Sequence, residues 1–283
     1  MGESRRSHRS HQTPTEQQLA AVYDAFHAAR AKTTLVARLY AEAMGDAYPH
    51  ELEASSSCDW PLLGTTISRL RLQPGQRLVD LGCGTGGAGL WLARALSVHL
   101  VGIDISPTAI TLATRRTPAF VPPGQASFRV ATIEATGLPD ERADGIVCID
   151  ALGFAPDRMG ALREMRRVLR PGGRAVLTSG GRHANPAAPP WSRRAAAADL
   201  ELESEEERPD EPAMWRRLYQ LWTGHEADLR RDLGDQQAES MLTEARTHAP
   251  ALGNRRSVTV TLRRPSIEDA ASSATARQSR SGA

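Results

Sequence analysis

The fold is decided by residues 78–87, which read LVDLGCGTGG. The apolar run before the glycines predicts a buried strand, and a helical pattern starts directly after them. Glycines at such a junction let the backbone turn tightly and let a ligand come close to it. The helix that follows begins with N–H groups that lack partners inside the helix. The segment therefore predicts a strand, a ligand-binding loop and a helix in succession.

Short β-rich runs alternate with helical stretches on both sides of this segment. The predicted helices between strands are Gly87–Leu96, Pro107–Thr117 and Met159–Leu169. The predicted strands are Arg77–Leu81, His99–Asp104, Ser127–Val130, Gly145–Ile149, Gly173–Ser179, Asp199–Glu205 and Ser257–Arg263. Such alternation predicts an α/β fold with a doubly wound, mostly parallel, seven-stranded Rossmann-like sheet.

Helices are also predicted before the sheet. The first starts at Thr13, with Pro14 in its first turn and Glu16 closing a capping box. Two more are predicted at Thr34–Gly45 and Pro61–Leu70. Together they predict a helical region on the N-terminal side of the glycine loop.

A helical insert of about Glu211–Ala249 separates the last two predicted strands. Its apolar residues recur at helical spacing, at Met214, Leu218, Leu221 and Trp222. We expect a packed cap whose aromatic residues also line a ligand pocket. The sequence thus divides into a disordered tail (1–12), a helical lid region (13–72), a Rossmann-like core (73–210), the helical cap (211–250), the final strand of the core (251–265) and a second disordered tail (266–283).

Composition excludes several classes of protein. The 283 residues, 40% of them apolar, suffice for one α/β domain with extra elements, and the net charge of +2 indicates neither a nucleic-acid nor a membrane partner. The three cysteines are widely spaced, so we expect no disulfide framework, no metal site and a cytoplasmic location. No run of about 18 apolar residues predicts a membrane span. The oligomeric state stays open.

Two acids near the glycines distinguish between possible ligands. Asp104 ends the strand after the loop, where a carboxylate holds a ribose diol in more than one family. Gly82, Gly84 and Gly87 also satisfy the dinucleotide pattern GxGxxG. Asp80, however, directly precedes the glycines, where it would repel a pyrophosphate and attract an ammonium group. The alternative is that Asp80 only braces the loop by accepting backbone hydrogen bonds.

Four motifs in the same order resemble those of class I S-adenosylmethionine-dependent methyltransferases. They are VDLGCGTG at 79–86, VGIDIS at 101–106, LPD at 138–140 followed by ADGIV at 143–147, and LREMRRVLRPGG at 162–173. The resemblance covers roughly residues 75–180. It implies S-adenosylmethionine as the cofactor, whose amino-acid tail and lack of phosphate suit Asp80.

The resemblance also implies which residues contact that cofactor. Asp104 would bind the ribose hydroxyls and Ile105 would pack on the adenine. The glycine-loop residues would lie beside the methionine and ribose portions: Gly82, Cys83, Gly84 and Gly86. The family often has an acid after the third strand, and here Thr132 with its hydroxyl and Ile133 with its N–H would replace it, or Glu134 would take a shifted position.

Candidates for the acceptor side follow from position alone. Asp150 comes after the fourth strand, and the carboxyl ends of parallel strands are where ligands bind. His183, beyond the fifth strand, and His50 are candidate bases. Tyr23 is expected on a helix that closes over the cofactor, because an aromatic ring suits a cation.

These features predict methyl transfer from S-adenosylmethionine to a small organic acceptor, of the kind found in natural-product biosynthesis. Two alternatives remain at this stage, a nicotinamide-dependent oxidoreductase and a non-catalytic binding protein of the same fold. The sequence leaves open which acceptor atom is methylated, whether a base is needed, and whether cyclisation chemistry is added.

Overall fold

The computed structural model describes residues 15–182 and 189–266, and it contains the predicted seven-stranded sheet. The strand order is β3-β2-β1-β4-β5-β7-β6. The strands are β1 (Arg77–Leu81), β2 (His99–Asp104), β3 (Ala126–Val130), β4 (Ala143–Cys148), β5 (Leu169–Arg182), β6 (Glu201–Glu207) and β7 (Arg255–Arg263). The first five pair in parallel, whereas β7 runs antiparallel to both β5 and β6. The prediction of a mostly parallel, doubly wound sheet is confirmed.

Ten helices accompany the sheet within the described part of the chain. Three precede it: α1 (Glu16–Arg30), α2 (Leu35–Met44) and α3 (Trp60–Leu70). Four follow strands of the sheet: α4 (Gly87–Leu96), α5 (Pro107–Arg116), α6 (Arg158–Val168) and α7 (Trp191–Ala196). The remaining three form the insert between β6 and β7: α8 (Glu211–Gly224), α9 (Glu226–Leu233) and α10 (Asp235–His248).

The start of α1 differs from the prediction. The capping box is made by Thr15 and Gln18, not by a threonine at position 13 with Glu16. The Gln18 N–H donates to Thr15 Oγ1 at 3.3 Å, and the Thr15 N–H donates to Gln18 Oε1 at 2.8 Å. The same spacing occurs two residues later in the chain, and the reciprocal bonds form there. Thr13, Pro14 and both predicted tails, except for Ser266, lie outside the described residues.

The insert also differs in detail. The helical spacing also predicts one second helix that contains Leu229 and Met241, but these residues lie on two helices, because Gly234 separates them with a φ of +83°. A left-handed conformation of this kind is readily adopted only by glycine. The helix α7 was not predicted either.

Three apolar cores organise the molecule. One lies on the face of the sheet covered by α6 and α7, and another lies on the opposite face, under α3 and α4. The third contains no strand residue and joins α2 to the insert helices, with Leu39, Leu218 and Trp222 among its members. The N-terminal helix α2 and the cap therefore form one packed helical unit beside the sheet.

Candidate active site

One large cleft lies over the carboxyl ends of β1, β2, β4 and β5. Its volume is about 2310 Å³, and residues from α1, α2, α8 and α10 form its opposite wall. This exceeds the space that one drug-sized ligand needs. The cleft can therefore receive a cofactor above the sheet together with a second molecule against the helices.

The glycine loop is fastened to the end of β2. The N–H groups of Gly82 and Cys83 both donate to the carbonyl oxygen of Ile103, at 2.8 and 2.9 Å. The Gly84 N–H donates to Asp104 Oδ2 at 2.8 Å. Gly82, Cys83 and Gly84 line the cleft as the sequence predicts. Gly82 has a φ of +70°, and a Cβ there would stand 2.3 Å from that of Ala151.

Backbone N–H groups fix the orientation of the Asp104 carboxylate. Its second oxygen, Oδ1, accepts the Ser106 N–H at 2.9 Å, and only 7% of the residue is exposed. An ionised carboxylate has about four acceptor positions, so both oxygens can still receive hydroxyl donors. Asp104 and Ile105 both line the cleft at the predicted place.

Asp80 lies between the glycine loop and α4. It is buried and borders the cleft, and its Oδ2 lies 2.5 Å from where a Cβ of Gly89 in α4 would be. This close contact with α4 supports the bracing role, and the role toward the cofactor stays a prediction. Burial, reinforced by the charge of Asp104, raises the pKa of Asp80 to about 7. A cationic group in the cleft would favour the ionised form.

The segment after β3 also borders the cleft. Thr132, Ile133 and Glu134 all line it. Thr132 Oγ1 accepts the Ala135 N–H at 3.1 Å, and Glu134 Oε1 accepts the Asp157 N–H at 3.4 Å. The hydroxyl of Thr132 thus shapes the turn as well as facing the cleft.

One glycine of the predicted set does not line the cleft. Gly86 is the N-cap of α4, and a Cβ at this position would meet Ala113, Leu90 and Phe128 instead. Because the helix starts here, the next residue, Gly87, faces the cleft in its place. The predicted cofactor contact at Gly86 stays a prediction, and the cleft wall contains Gly87 instead.

Asp150 is a brace between segments that are distant in sequence. Its Oδ2 accepts the Ser57 N–H at 2.6 Å, and its Oδ1 accepts the hydroxyls of Ser57 and Thr178 at 3.0 and 2.8 Å. Asp150 also has a left-handed φ of +52° and lines the cleft. These contacts support a positioning role at the carboxyl end of β4 rather than the predicted direct role in chemistry.

Two histidines, His50 and His183, were predicted as candidate bases. His50 is exposed and is not part of the cleft wall, since it lies in a short turn with its ring against Tyr48. A base role for His50 is therefore not carried forward. His183 lies outside the described residues.

The helix α1 brings several side chains over the glycine loop. Tyr23 lines the cleft, and burial followed by the charges of Asp104 and Glu244 raises its pKa, so its hydroxyl stays neutral. Asp24 fastens α1 to α5, because its Oδ1 accepts the Ser106 hydroxyl and the Thr108 N–H, both at 2.8 Å.

His27 is a cleft residue that the sequence interpretation missed. Its Cε1 lies 3.5 Å from where a Cβ of Gly84 would be, and burial lowers its pKa. The residue is therefore held in its neutral form above the loop. The signal was readable, since His27 is four residues after Tyr23 and hence on the same helix face.

Aromatic residues of the cap form the far wall of the cleft. Trp215, Tyr219 and Trp222 all line it, as the helical spacing predicted. The Tyr219 hydroxyl donates to Glu244 Oε1 at 3.1 Å. The ring of Tyr40 from α2 contacts Trp215 and Trp222 edge-on, with centroids 6.2 and 6.3 Å away. This wall is apolar with a few polar groups, as small-molecule pockets usually are.

Comparisons with known proteins agree with this arrangement. Residues 79–177 match the methyltransferase domain family. An O-methyltransferase of Pyrenophora dematioidea is 31% identical over 59% of this chain and 55% of its own length. The 27-O-demethylrifamycin SV methyltransferase of Amycolatopsis mediterranei is 30% identical over 58% of each protein. The chain thus spans little more than half the length of these relatives.

A solved structure extends the likeness over most of the fold. The cyclopropane synthase MmaA2 from Mycobacterium tuberculosis superposes with a TM-score of 0.68 at 18% identity, covering 90% of this chain and all of that one. This likeness shows the fold. Residues 79–177 match the methyltransferase domain family, and the glycine loop with the acid at the end of β2 lies within that matched segment.

The conformation of Gly82 generates a stability prediction. Gly82→Ala should lower the free energy of unfolding by about 1–3 kcal/mol, because alanine is strained at positive φ and its Cβ would overlap Ala151. Gly64→Ala is the matched control, since no heavy atom lies within 4 Å of a Cβ there and α3 would gain about 0.5–1 kcal/mol. Urea unfolding measures both variants, and equal effects would contradict the role of the loop conformation.

The burial of Asp80 generates a pH prediction. Between the ordinary aspartate pKa of about 4 and pH 7, folded Asp80 keeps a proton that the unfolded chain has lost. The folded state then binds more protons, so Asp80 makes the free energy of unfolding fall as pH rises through this window. Asp80→Asn should become progressively more stable relative to wild type, by at most about 1.4 kcal/mol per pH unit.

Urea unfolding of both proteins at several pH values between 4 and 8 measures this difference. Gly64→Ala, which removes no titratable group, is the control, and its difference from wild type should not change with pH. A difference between Asp80→Asn and wild type that does not change with pH would refute the protonation of Asp80.

Proposed function

We propose that this protein transfers a methyl group from S-adenosylmethionine to a small organic acceptor. The observation that carries the proposal is a single cleft with two unlike walls. One wall is the glycine loop fastened to Asp104, and the other is the aromatic surface of the cap. The O-methyltransferases among its relatives support an oxygen acceptor, and the rifamycin relative supports one from natural-product metabolism.

The residues present fit this cofactor. Asp104 would hold the ribose hydroxyls, and Asp80 would face the ammonium of the methionine tail. Gly82 and Gly84 border the cleft with left-handed φ angles of +70° and +51°, so the backbone of the loop itself faces the cofactor's place. When bound, the cofactor supplies a sulfonium whose methyl group is intrinsically electrophilic.

The protein's own contribution is alignment and exclusion of water. Holding an acceptor atom in line with the methyl group replaces a bimolecular encounter by an oriented one. Neutral Tyr23 and His27 on α1 cover the loop, and an aromatic ring near a sulfonium is favourable. A base is needed only if the acceptor loses its proton early.

We also propose a cytoplasmic location and no nucleic-acid partner. The near balance of 35 basic and 33 acidic residues supports the second point. Within residues 15–182 and 189–266, no helix is long and apolar enough to cross a membrane. We likewise propose that the chain divides by function into a helical lid region, a cofactor-binding core and a helical cap.

The cofactor assignment is tested by calorimetry. S-adenosylhomocysteine should bind wild type and NADH should not. Asp104→Ala should weaken S-adenosylhomocysteine binding by roughly 10- to 100-fold, since a charge-assisted hydrogen bond to a diol contributes about 1.5–3 kcal/mol. Asp140→Ala, outside the cleft, is the control. Unchanged affinity in a folded Asp104→Ala variant would refute the assignment.

The lid role of α1 has a separate test. Only Ala29 of α1 is buried, so deleting residues 1–30 should leave the sheet folded. The deletion removes Tyr23 and His27 from the cleft, and turnover should fall at least about tenfold because water then reaches the methyl group. Release of S-adenosylhomocysteine with a panel of phenols and hydroxy acids measures turnover. A truncated protein that works at the full rate would exclude a lid.

A further inference from the structure

Arg30 is a charged residue that the proposed chemistry does not use. It is the last residue of α1, it is partly buried, and it lines the cleft. Its guanidinium carbon lies 3.5 Å from the centroid of the Phe26 ring, and its side chain is close enough to Tyr40 for each group to influence the pKa of the other. None of the ion pairs found among residues 15–182 and 189–266 includes Arg30.

A partly buried cation without a carboxylate partner is costly. Removing a charge from water is favourable only when an opposite charge and hydrogen bonds compensate for the lost solvation. Here burial lowers the pKa of the Arg30 guanidinium, which reflects that cost. A guanidinium over a ring face still has most of its five N–H donors free at its edge.

The surrounding wall adds donors and aromatic faces. The indole N–H of Trp222 is buried without a hydrogen-bond partner among the described residues, and Trp222 contacts Tyr40. The charge of Glu244 influences Arg30, and Glu244 Oε1 accepts the Tyr219 hydroxyl. Arg30 and the Trp222 N–H therefore bring donors to this end of the cleft, set among aromatic rings.

We propose that Arg30, positioned by Phe26 and Tyr40, binds a carboxylate on the methyl acceptor. The acceptor class is then a carboxylic acid with an apolar, ring-containing body that packs on the cap aromatics. A planar carboxylate matches the guanidinium fork in a bidentate manner. The negative charge of Glu244 in the same cleft opposes the higher charge of a phosphate. This inference rests on the proposed function, because it identifies the second molecule in that cleft.

The alternative is that Arg30 latches α1 to the cap by reaching Glu244 when the cleft closes. The two explanations predict opposite effects of Glu244→Gln. If Arg30 binds a carboxylate ligand, removing the neighbouring negative charge should strengthen the binding of acids severalfold. If Arg30 is a latch, the same change should loosen the cleft and weaken the binding of every ligand.

The test compares acids with their neutral amides. The probes are 4-hydroxycinnamate against 4-hydroxycinnamamide and 2-naphthoate against 2-naphthamide. Binding is measured by calorimetry and ligand-observed NMR on the full chain saturated with S-adenosylhomocysteine. Wild type should prefer each acid over its amide by about tenfold or more, the value of a charge-assisted pair. Arg30→Gln should abolish the preference, and Arg30→Lys should keep part of it.

Controls keep this test separate from the proposed function. Arg38→Gln, on an exposed position of α2 outside the cleft, should behave as wild type. The affinity for S-adenosylhomocysteine should be the same in Arg30→Gln as in wild type. If wild type itself does not bind S-adenosylhomocysteine, the cofactor proposal is overturned instead. If Arg30→Gln does not fold, Tyr40→Phe and Arg30→Lys replace it, each with a reduced preference expected. Equal binding of acid and amide by wild type, no measurable binding of either acid, or weakened acid binding in Glu244→Gln would overturn the assignment of Arg30.

Discussion

The site depends on the attachment of the glycine loop to the end of β2. Three backbone N–H groups, from Gly82, Cys83 and Gly84, are received by one carbonyl and one carboxylate at Ile103 and Asp104. The loop conformation, the burial of Asp80 and the start of α4 all follow from this attachment. Asp104 takes part in it and also lines the cleft, so the residue that shapes the loop is the one proposed to bind the ribose.

The attachment continues into the helices above. Ser106 donates its N–H to Asp104 and its hydroxyl to Asp24 on α1. The helix α1 is therefore held over the loop by the same short segment that orients Asp104. Beyond it, α2 packs with the cap in a core of its own, so the acceptor side of the cleft rests on helices and the cofactor side on the sheet.

The sequence predicted the sheet side well, because strand, loop and helix are decided by neighbouring residues. The positions of Asp80, Gly82 and Asp104 followed from local spacing. Which glycine faces the cleft did not, because it depends on where α4 begins. For this reason the sequence singled out Gly86, whereas Gly87 lines the cleft.

The helix side required contacts between distant parts of the chain. Asp150 is held by Ser57, which is 93 residues away, and no local pattern shows that bond. His27 shares a helix face with Tyr23, but its role became visible only once that face was known to meet the glycine loop. Arg30 reads in sequence as an ordinary solvated charge, and only its burial without a carboxylate partner sets it apart.

The spacing of residues along α1 has a consequence for which atom of the acceptor reacts. Tyr23, His27 and Arg30 lie at intervals of four and three residues, on one face of a single rigid helix. With a rise of 1.5 Å per residue, the Cα atoms of Tyr23 and Arg30 stand about 10 Å apart. This distance separates the part of α1 that covers the glycine loop from the part that carries Arg30. If Arg30 anchors the acceptor as proposed, the atom that meets the methyl group would be the one at a matching distance from that anchor, so the spacing of residues on α1 would select the position of methylation.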